Sequence, residues 1–258
     1  MTPGRPDPSG PVSVLGKVMA VLHAFRADDG ALPFAELQRR TGLAKATLHR
    51  LLGELVGEGL LDRTERGYRL GSHLFELGMR AALERGLLEV ATPFLEDVYE
   101  RTHEIVHLGV REGTEVVYVA KVGGHRQAKS PSRLGGRMPL HATAIGKVLL
   151  AHAPETVRTQ VLSVGLDRLT PRTITAPGVL RKQLDVVLES GIAYEFEESA
   201  IGLVCVAAAI SGPDDEVLAA VSVSGPVTRF LPSRHAGAVH AAATGVAAML
   251  ARRAEREE

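Results

Sequence analysis

Apolar residues fall at helical spacing from the start of the patterned chain. Val14, Leu15, Val18, Val21, Leu22 and Phe25 form one stripe, which predicts an amphipathic helix from near Val12 to about Asp28-Asp29-Gly30. A short second helix follows Pro33 over Phe34 to Arg40, with Leu37 facing inward, and Thr41-Gly42-Leu43 makes a tight turn. From about Lys45 to Glu58, Leu48, Leu51, Leu52, Leu55 and Val56 stand at i, i+3, i+4, i+7 and i+8, so this helix has one buried face. Leu60 to Arg63 and Tyr68 to Leu70 read as two short strands around Thr64-Glu65-Arg66-Gly67. Three helices and a small hairpin in this order describe a winged helix-turn-helix over residues 12–71.

Residues 72–88 carry Leu74, Leu77, Leu83 and Leu87, interrupted by Gly78 and Gly86, and predict a linker helix. The pattern then changes for a second domain over residues 89–254. A helix from Pro93 to Thr102 leads into two alternating runs, Ile105 to Val110 and Glu115 to Val122, joined as a hairpin by Arg111-Glu112-Gly113-Thr114. Helical stretches over about Thr143 to His152, Pro154 to Ser163 and Val179 to Glu189 precede strands Ile192 to Phe196, Leu203 to Ile210 and Val217 to Ser224. Pro213-Asp214-Asp215 turns between the last two strands, and a final helix covers Arg234 to Arg253. Strands interleaved with helices, several joined by hairpins, predict an α+β domain on a mainly antiparallel sheet.

Composition mainly excludes. Lys plus Arg and Asp plus Glu are each 30, so the net charge is zero and nonspecific coating of nucleic acid by a basic tail is ruled out. Aromatics are 4% with no Trp, leaving Leu, Val, Ile and Ala to build the core. One cysteine makes no intramolecular disulfide and no Cys-based zinc cluster, and fits a reducing cytoplasm. The longest charge-free apolar run, Ala236 to Ala251, is broken by Gly237, His240, Thr244 and Gly245 and falls short of the roughly 20 residues a bilayer requires. Met1 to Pro11 holds four prolines and two glycines without an apolar core, which reads as a flexible leader and not a signal peptide. The expectation is a soluble cytoplasmic protein with no membrane partner.

Charge becomes informative locally. From Arg39 to Arg50 there are four cations (Arg39, Arg40, Lys45 and Arg50) and no acid. A basic surface at the front of an exposed helix is what a DNA-binding face requires. Lys and Arg neutralise phosphates, Thr47, His49 and Arg50 are placed to reach base edges in the major groove, and Arg63 and Arg66 on the wing are placed for the backbone or minor groove.

The run Gly42-Leu43-Ala44-Lys45-Ala46-Thr47-Leu48-His49-Arg50-Leu51-Leu52, then Leu55-Val56, Gly59-Leu60 and Tyr68-Arg69-Leu70-Gly71, resembles the IclR family of bacterial transcriptional regulators. Pro139-Leu140-His141-Ala142-Thr143-Ala144-Ile145-Gly146-Lys147, the segments around Gly191 to Glu195 and Gly202 to Ala208, and Val221 to Pro226 resemble the same family in the same order. The resemblance implies a GAF-like effector-binding domain behind the winged helix, double-stranded operator DNA and a small-molecule effector as partners, and homodimers or dimers of dimers. Ala46 and Ala44 stand where the family often has Ser and Pro, so this helix lacks a side-chain N-cap, at a cost of about 1 kcal/mol. Glu195 stands where the resemblance leads to Asp.

Strand periodicity adds a pocket. Ser222 and Ser224 share one face of their strand, Ala193, Glu195 and Glu197 one face of theirs, and Cys205, Ala207 and Ala209 another. Small and polar side chains on one sheet face leave a recess. The helix starting near Thr143 is expected to offer the backbone N–H groups of Ala144, Ile145 and Gly146 to an anion. These features predict a site for a small carboxylate, held by the helix N-terminus, Ser222 and Ser224, with Glu195 accepting from an effector hydroxyl. The resemblance adds His141 and Cys205 to its wall. The scarcity of aromatics in these segments favours an aliphatic acid. His103 and His107 are four apart, but His107 lies in a strand run, so no metal site is expected, and no cofactor. Two competing readings remain: a regulator whose pocket is degenerate, and a hydrolase with Cys205 as nucleophile and His141 as base. Against the second, Cys205 lies in a strand with no activating motif around it.

Overall fold

The computed structural model describes residues 13–26, 29–78, 80, 82–124 and 127–257; the leader Met1 to Pro11 lies outside them. The chain divides into two compact units, Met1–Arg85 and Gly86–Glu258.

In the first unit, α1 (Val14–His23), α2 (Phe34–Thr41) and α3 (Lys45–Gly57) enclose a core with Val21, Leu37, Leu48, Leu52 and Leu55 at its centre. Each leucine so buried contributes roughly 1.5–3 kcal/mol. The wing is β1 (Leu61–Thr64) paired antiparallel with β2 (Gly67–Leu70). Tyr68 and Leu32 exchange backbone hydrogen bonds, which ties the wing to the segment before α2. Gly67 has φ +129°, and a Cβ there would lie 2.1 Å from the Leu32 carbonyl oxygen, so this approach requires glycine. Helix α1 ends at His23, earlier than its apolar pattern predicts. Arg40 Nη1 donates to the Ala24 carbonyl at 2.8 Å, satisfying one of the carbonyls that a helix end leaves over.

The single linker helix expected over 72–88 is two helices, α4 (Ser72–Gly78) and α5 (Ala82–Thr102). Helix α5 also runs through Pro93, where the sequence pattern starts a separate helix. An interior proline costs about 3 kcal/mol. The burial of Leu87, Ala91, Leu95 and Val98 along one face outweighs that local preference.

The second unit is built on a six-stranded sheet in the order β5-β4-β3-β8-β7-β6, with every neighbouring pair antiparallel. Its strands are β3 (Ile105–Glu112), β4 (Glu115–Val122), β5 (Arg137–Pro139), β6 (Ile192–Phe196), β7 (Leu203–Ser211) and β8 (Val217–Pro226). Helices α5 and α9 (Pro232–Glu257) cover one face over Val106, Val206, Val221 and Val223. On the other face α6 (Ala144–Ala151) and α8 (Pro177–Ser190) pack over Cys205, Ala207 and Ala220, and α7 (Glu155–Ser163) joins the same layer through Val161. The central strands are therefore buried on both sides and read as apolar runs with little alternation. Small residues let α6 sit close to the sheet: a Cβ on Gly109 would be 3.0 Å from Ile145 Cγ2. Among the described residues no helix is long and apolar enough to cross a membrane.

Candidate functional site: a helix face and a buried cavity

Helix α3 begins without a side-chain cap: Ala44 is its N-cap, with φ −58° and ψ 139°. Lys45, His49 and Arg50 are exposed, and Thr47 is half-buried. Arg50 pairs with Glu54 at 2.6 Å, yet both side chains stay more than half exposed, so the pair holds the guanidinium by at most about 1 kcal/mol. Arg63 and Arg66 are exposed on the wing. Arg26 and Arg69, which the sequence pattern did not single out, stand with Arg66 around a surface hollow.

Arg40 is not part of this face. Its side chain is 15% exposed and clamped between Asp29 and Glu36. Hydrogen bonds from Arg39 and Arg40 hold the Glu36 carboxyl down to about 2, and the Arg40 guanidinium holds Asp29 below its usual range. Arg39 shares Glu36 at 2.6 Å but remains 70% exposed, so its charge stays at the surface.

In the second unit the strand register assembles a buried polar patch. Glu195, Cys205 and Ser224 are successive cross-strand partners on β6, β7 and β8. Ser222 pairs with His107 on β3. Cys205 Sγ donates to Ser224 Oγ at 2.8 Å. Burial pushes the Cys205 thiol well above its ordinary value, with the neighbouring Glu195 adding to the shift. Glu195 is fully buried. Its Oε1 accepts from Glu198 N at 2.7 Å, Ser199 N at 2.9 Å and Ser199 Oγ at 3.2 Å. Its Oε2, equally buried, has no hydrogen-bond partner among the described residues. Burial raises the pKa of this carboxyl above the ordinary 4.5, and the charge of Glu198 acts the same way, against the Cys205 thiol beside it and the donors on Oε1.

Above this patch lies a cavity lined by His107, Tyr118, Ala144, Ile145, Glu195, Cys205, Ser222 and Ser224, among others. Thr143 N-caps α6, and its Oγ1 accepts from Gly146 N at 3.0 Å. Ala144 and Ile145, the first two helical residues, have N–H groups with no intrahelical acceptor. As it stands the cavity is ≈ 10 Å³, about enough for one water.

The family model for the IclR helix-turn-helix domain matches residues 14–65, and the model for the bacterial transcriptional regulator IclR C-terminal domain matches residues 79–248. The chain belongs to the IclR family. It is 35% identical to the HTH-type transcriptional regulator XynR of Escherichia coli, over 81% of this chain and 84% of that one. It is 33% identical to the regulator KdgR of the same organism, over 93% of each. A crystal structure of an IclR homolog from Microbacterium hydrocarbonoxydans, complexed with 4-hydroxybenzoate, is 33% identical and superposes with a TM-score of 0.87, covering 92% of this chain and 99% of that chain.

Within this IclR-family chain, the structure brings together six of the residues expected at the ligand site: Ala144, Ile145, Glu195, Cys205, Ser222 and Ser224. It removes two. His141 is buried and shares a hydrogen bond from Nε2 to the Asp167 carbonyl at 2.9 Å, and it does not line the cavity. The N–H of Gly146 is taken by the Thr143 cap. Glycine is required there for another reason, since a Cβ would lie 2.3 Å from the Leu140 carbonyl oxygen. Glu197 also leaves the face it was expected to share with Glu195. It lies past the end of β6 at φ 58° and binds Gly202 N at 2.8 Å. A neutral thiol bonded to a serine, with His141 engaged elsewhere, lacks the thiolate and the base that the hydrolase reading needs.

Among the wall residues that sequence reasoning missed are His107, Tyr118, Ser130 and Ser132. His107 shares the period-two face of Ile105 and Gly109, but in a strand buried on both faces that alternation carries little signal. Its pairing with Ser222 depends on a register that no local pattern reveals.

Proposed function

We propose that this regulator binds operator DNA in the cytoplasm as a homodimer or dimer of dimers, through α3 and the wing, and that a small carboxylate entering the cavity changes its hold on the operator. A ligand acts only by preferring one of the conformations the protein already visits. The observation that carries the reading is Glu195 lining a cavity together with Ser222, Ser224 and the first residues of α6, its buried Oε2 without a hydrogen-bond partner among the described residues. A buried polar atom left unpaired costs about 1–3 kcal/mol, and a ligand that pairs it recovers that cost. The 4-hydroxybenzoate bound by the Microbacterium homolog, itself a carboxylate, supports the chemical class.

The test is a thermal-melt screen of the full chain against hydroxy-, keto- and aromatic carboxylates. A ligand at a hundred times its dissociation constant adds about 2.7 kcal/mol, a rise of several degrees. The double variant Ser222→Ala with Ser224→Ala is expected to lose that rise, while its unliganded melt reports that the domain is folded. A blank across the panel with operator binding intact would favour a degenerate cavity; a rise that survives the double variant would move the site elsewhere.

On the DNA side, Arg50→Ala is expected to weaken operator binding by about 1–3 kcal/mol, with a smaller loss on scrambled duplex. Fluorescence anisotropy at fixed salt measures both. Equal losses would reduce Arg50 to a phosphate contact.

A further inference from the structure

The cavity wall continues past Ser222 onto β3 and β4, whose residues the carboxylate reading leaves unused. His107 is 2% exposed, and its ring lies 5.1 Å from that of Tyr118. Burial, with the charge of Lys121 adding to it, holds the imidazole neutral, its pKa down to about 3. A neutral imidazole has one donor and one acceptor to satisfy. Here Nε2 is 2.6 Å from Ser132 Oγ. Ser132 belongs to an irregular strap, described from Gln127 to Gly136, that covers this part of the cavity. Backbone bonds between Gly135, Gly136 and Tyr118 anchor the strap at one end. Its middle is held by Lys121 Nζ donating to the Ser132 carbonyl at 2.9 Å, by Ser130 Oγ at 2.6 Å from Ser132 Oγ, and by the His107 contact.

A cavity of ≈ 10 Å³ admits no organic acid until part of its wall moves. Strands β3, β7 and β8 are each paired on both sides, and helix α6 is buried along its whole length. The strap has no regular structure and hangs on side-chain bonds, so it gives way first. When Ser132 withdraws, His107 is left buried with a ring nitrogen unpaired. A ligand carrying a hydroxyl here repairs that loss, and one without it does not. Discrimination of this kind is strong because the penalty falls on the protein's own buried group.

We propose that His107 selects the effector. It hydrogen-bonds a hydroxyl of the ligand, and Ser132 holds the same bond in the ligand-free protein and yields it. This inference rests on the carboxylate reading. The effector class it names is a small hydroxycarboxylic acid.

Isothermal titration of the full chain with matched pairs tests it: benzoate against 4-hydroxybenzoate, and butyrate against 4-hydroxybutyrate. In wild type the hydroxylated member of at least one pair is expected to bind about tenfold more tightly. His107→Phe is expected to bring the two within twofold of each other. Ser132→Ala is expected to tighten both members by a similar factor and keep the preference, because no internal bond is broken on entry. A merely structural role for Ser132 would not tighten either, so this variant decides the matter should His107→Phe fail to fold. Carboxylates that bind wild type without preference, or a preference that survives His107→Phe, would overturn the inference and leave the carboxylate reading standing. Binding of none of the four acids would overturn both.

Discussion

Lys147→Met is expected to cost the C-terminal unit about 3–5 kcal/mol, the usual result of removing one partner of a buried ion pair. Lys147 is 1% exposed on α6, and its Nζ lies 2.5 Å from Glu198 Oε1 and 3.1 Å from the Tyr194 carbonyl. Glu198 is also buried, with no partner for its Oε2 among the described residues. Without the ammonium, a carboxylate remains in an apolar setting with little to offset its lost hydration. The double variant Lys147→Met with Glu198→Leu is expected to recover most of the loss, since apolar replacement of both partners is often neutral or stabilising. Urea unfolding of the full chain, followed by a probe on the C-terminal unit, measures the three values. A single-variant cost under about 1 kcal/mol would put the pair in the class of surface salt bridges. The pair also bears on function, because Glu198 N is one of the donors that fix Glu195 Oε1. The same turn is held by Thr170 Oγ1 on the Glu197 carbonyl at 2.6 Å and Thr173 Oγ1 on the Glu198 carbonyl at 2.7 Å.

Carboxylate binding is expected to weaken about a hundredfold over two pH units, equivalent to about 2.7 kcal/mol, once the pH exceeds the pKa of Glu195 in the free protein. Two carboxylates cannot share this cavity unless a proton lies between them. With Oε1 occupied by three donors, the proton belongs on Oε2, which then donates to the ligand. The ionisable groups that bear on Glu195 are Cys205 on β7, Tyr118 on β4, Glu198 on its own turn and, through Glu198, Lys147 on α6. Burial raises the Glu195 pKa, so the folded protein keeps a proton that the unfolded chain has already released. The sign follows from this. The contribution of Glu195 to stability is greatest below the ordinary value of 4.5 and falls as the pH rises from there through its folded value. Ligand affinity, which needs the same proton, falls above the folded value. Glu195→Gln keeps a donor at this position and is expected to flatten the pH profile of binding. Titration in buffers of different ionisation enthalpy counts the protons. A flat wild-type profile, or a slope that persists in Glu195→Gln, would remove the shared proton.

The helices and strands were largely legible because each has a strong period, and the misreadings have local causes. Arg40 looks like a free cation because the acid-free window begins at Arg39, while its partners Asp29 and Glu36 lie upstream of it. In the sequence Gly146 looks like an N–H donor because only its position in the first turn is visible. The threonine that takes that N–H and the carbonyl that forbids a side chain are properties of the folded turn. Pro93 signals a helix start, and the apolar residues on either side of it override that signal only once the sheet is there to cover them. In the cavity, Ser222, Ser224, Cys205 and Glu195 could be found by alternation along single strands. His107 lies in a strand buried on both faces, where alternation carries little information. Ser130 and Ser132 lie in a strap with no period at all, so only its folded path over the sheet brings them to the site.

The rims of the central sheet have a consequence for the protein in concentrated solution. One outer strand, β5, has three residues and includes Pro139, which has no N–H to offer; the other, β6, has five. Strands this short give an incoming chain few backbone groups to zip onto. The long Val- and Ala-rich strands that would template fibrous aggregation, β7 and β8, are enclosed on both sides by neighbours. Copies of the C-terminal unit therefore find few backbone groups on β5 or β6 by which to extend one another's sheets, and β7 and β8, the strands best suited to seed a cross-β deposit, stay out of reach while the domain is folded.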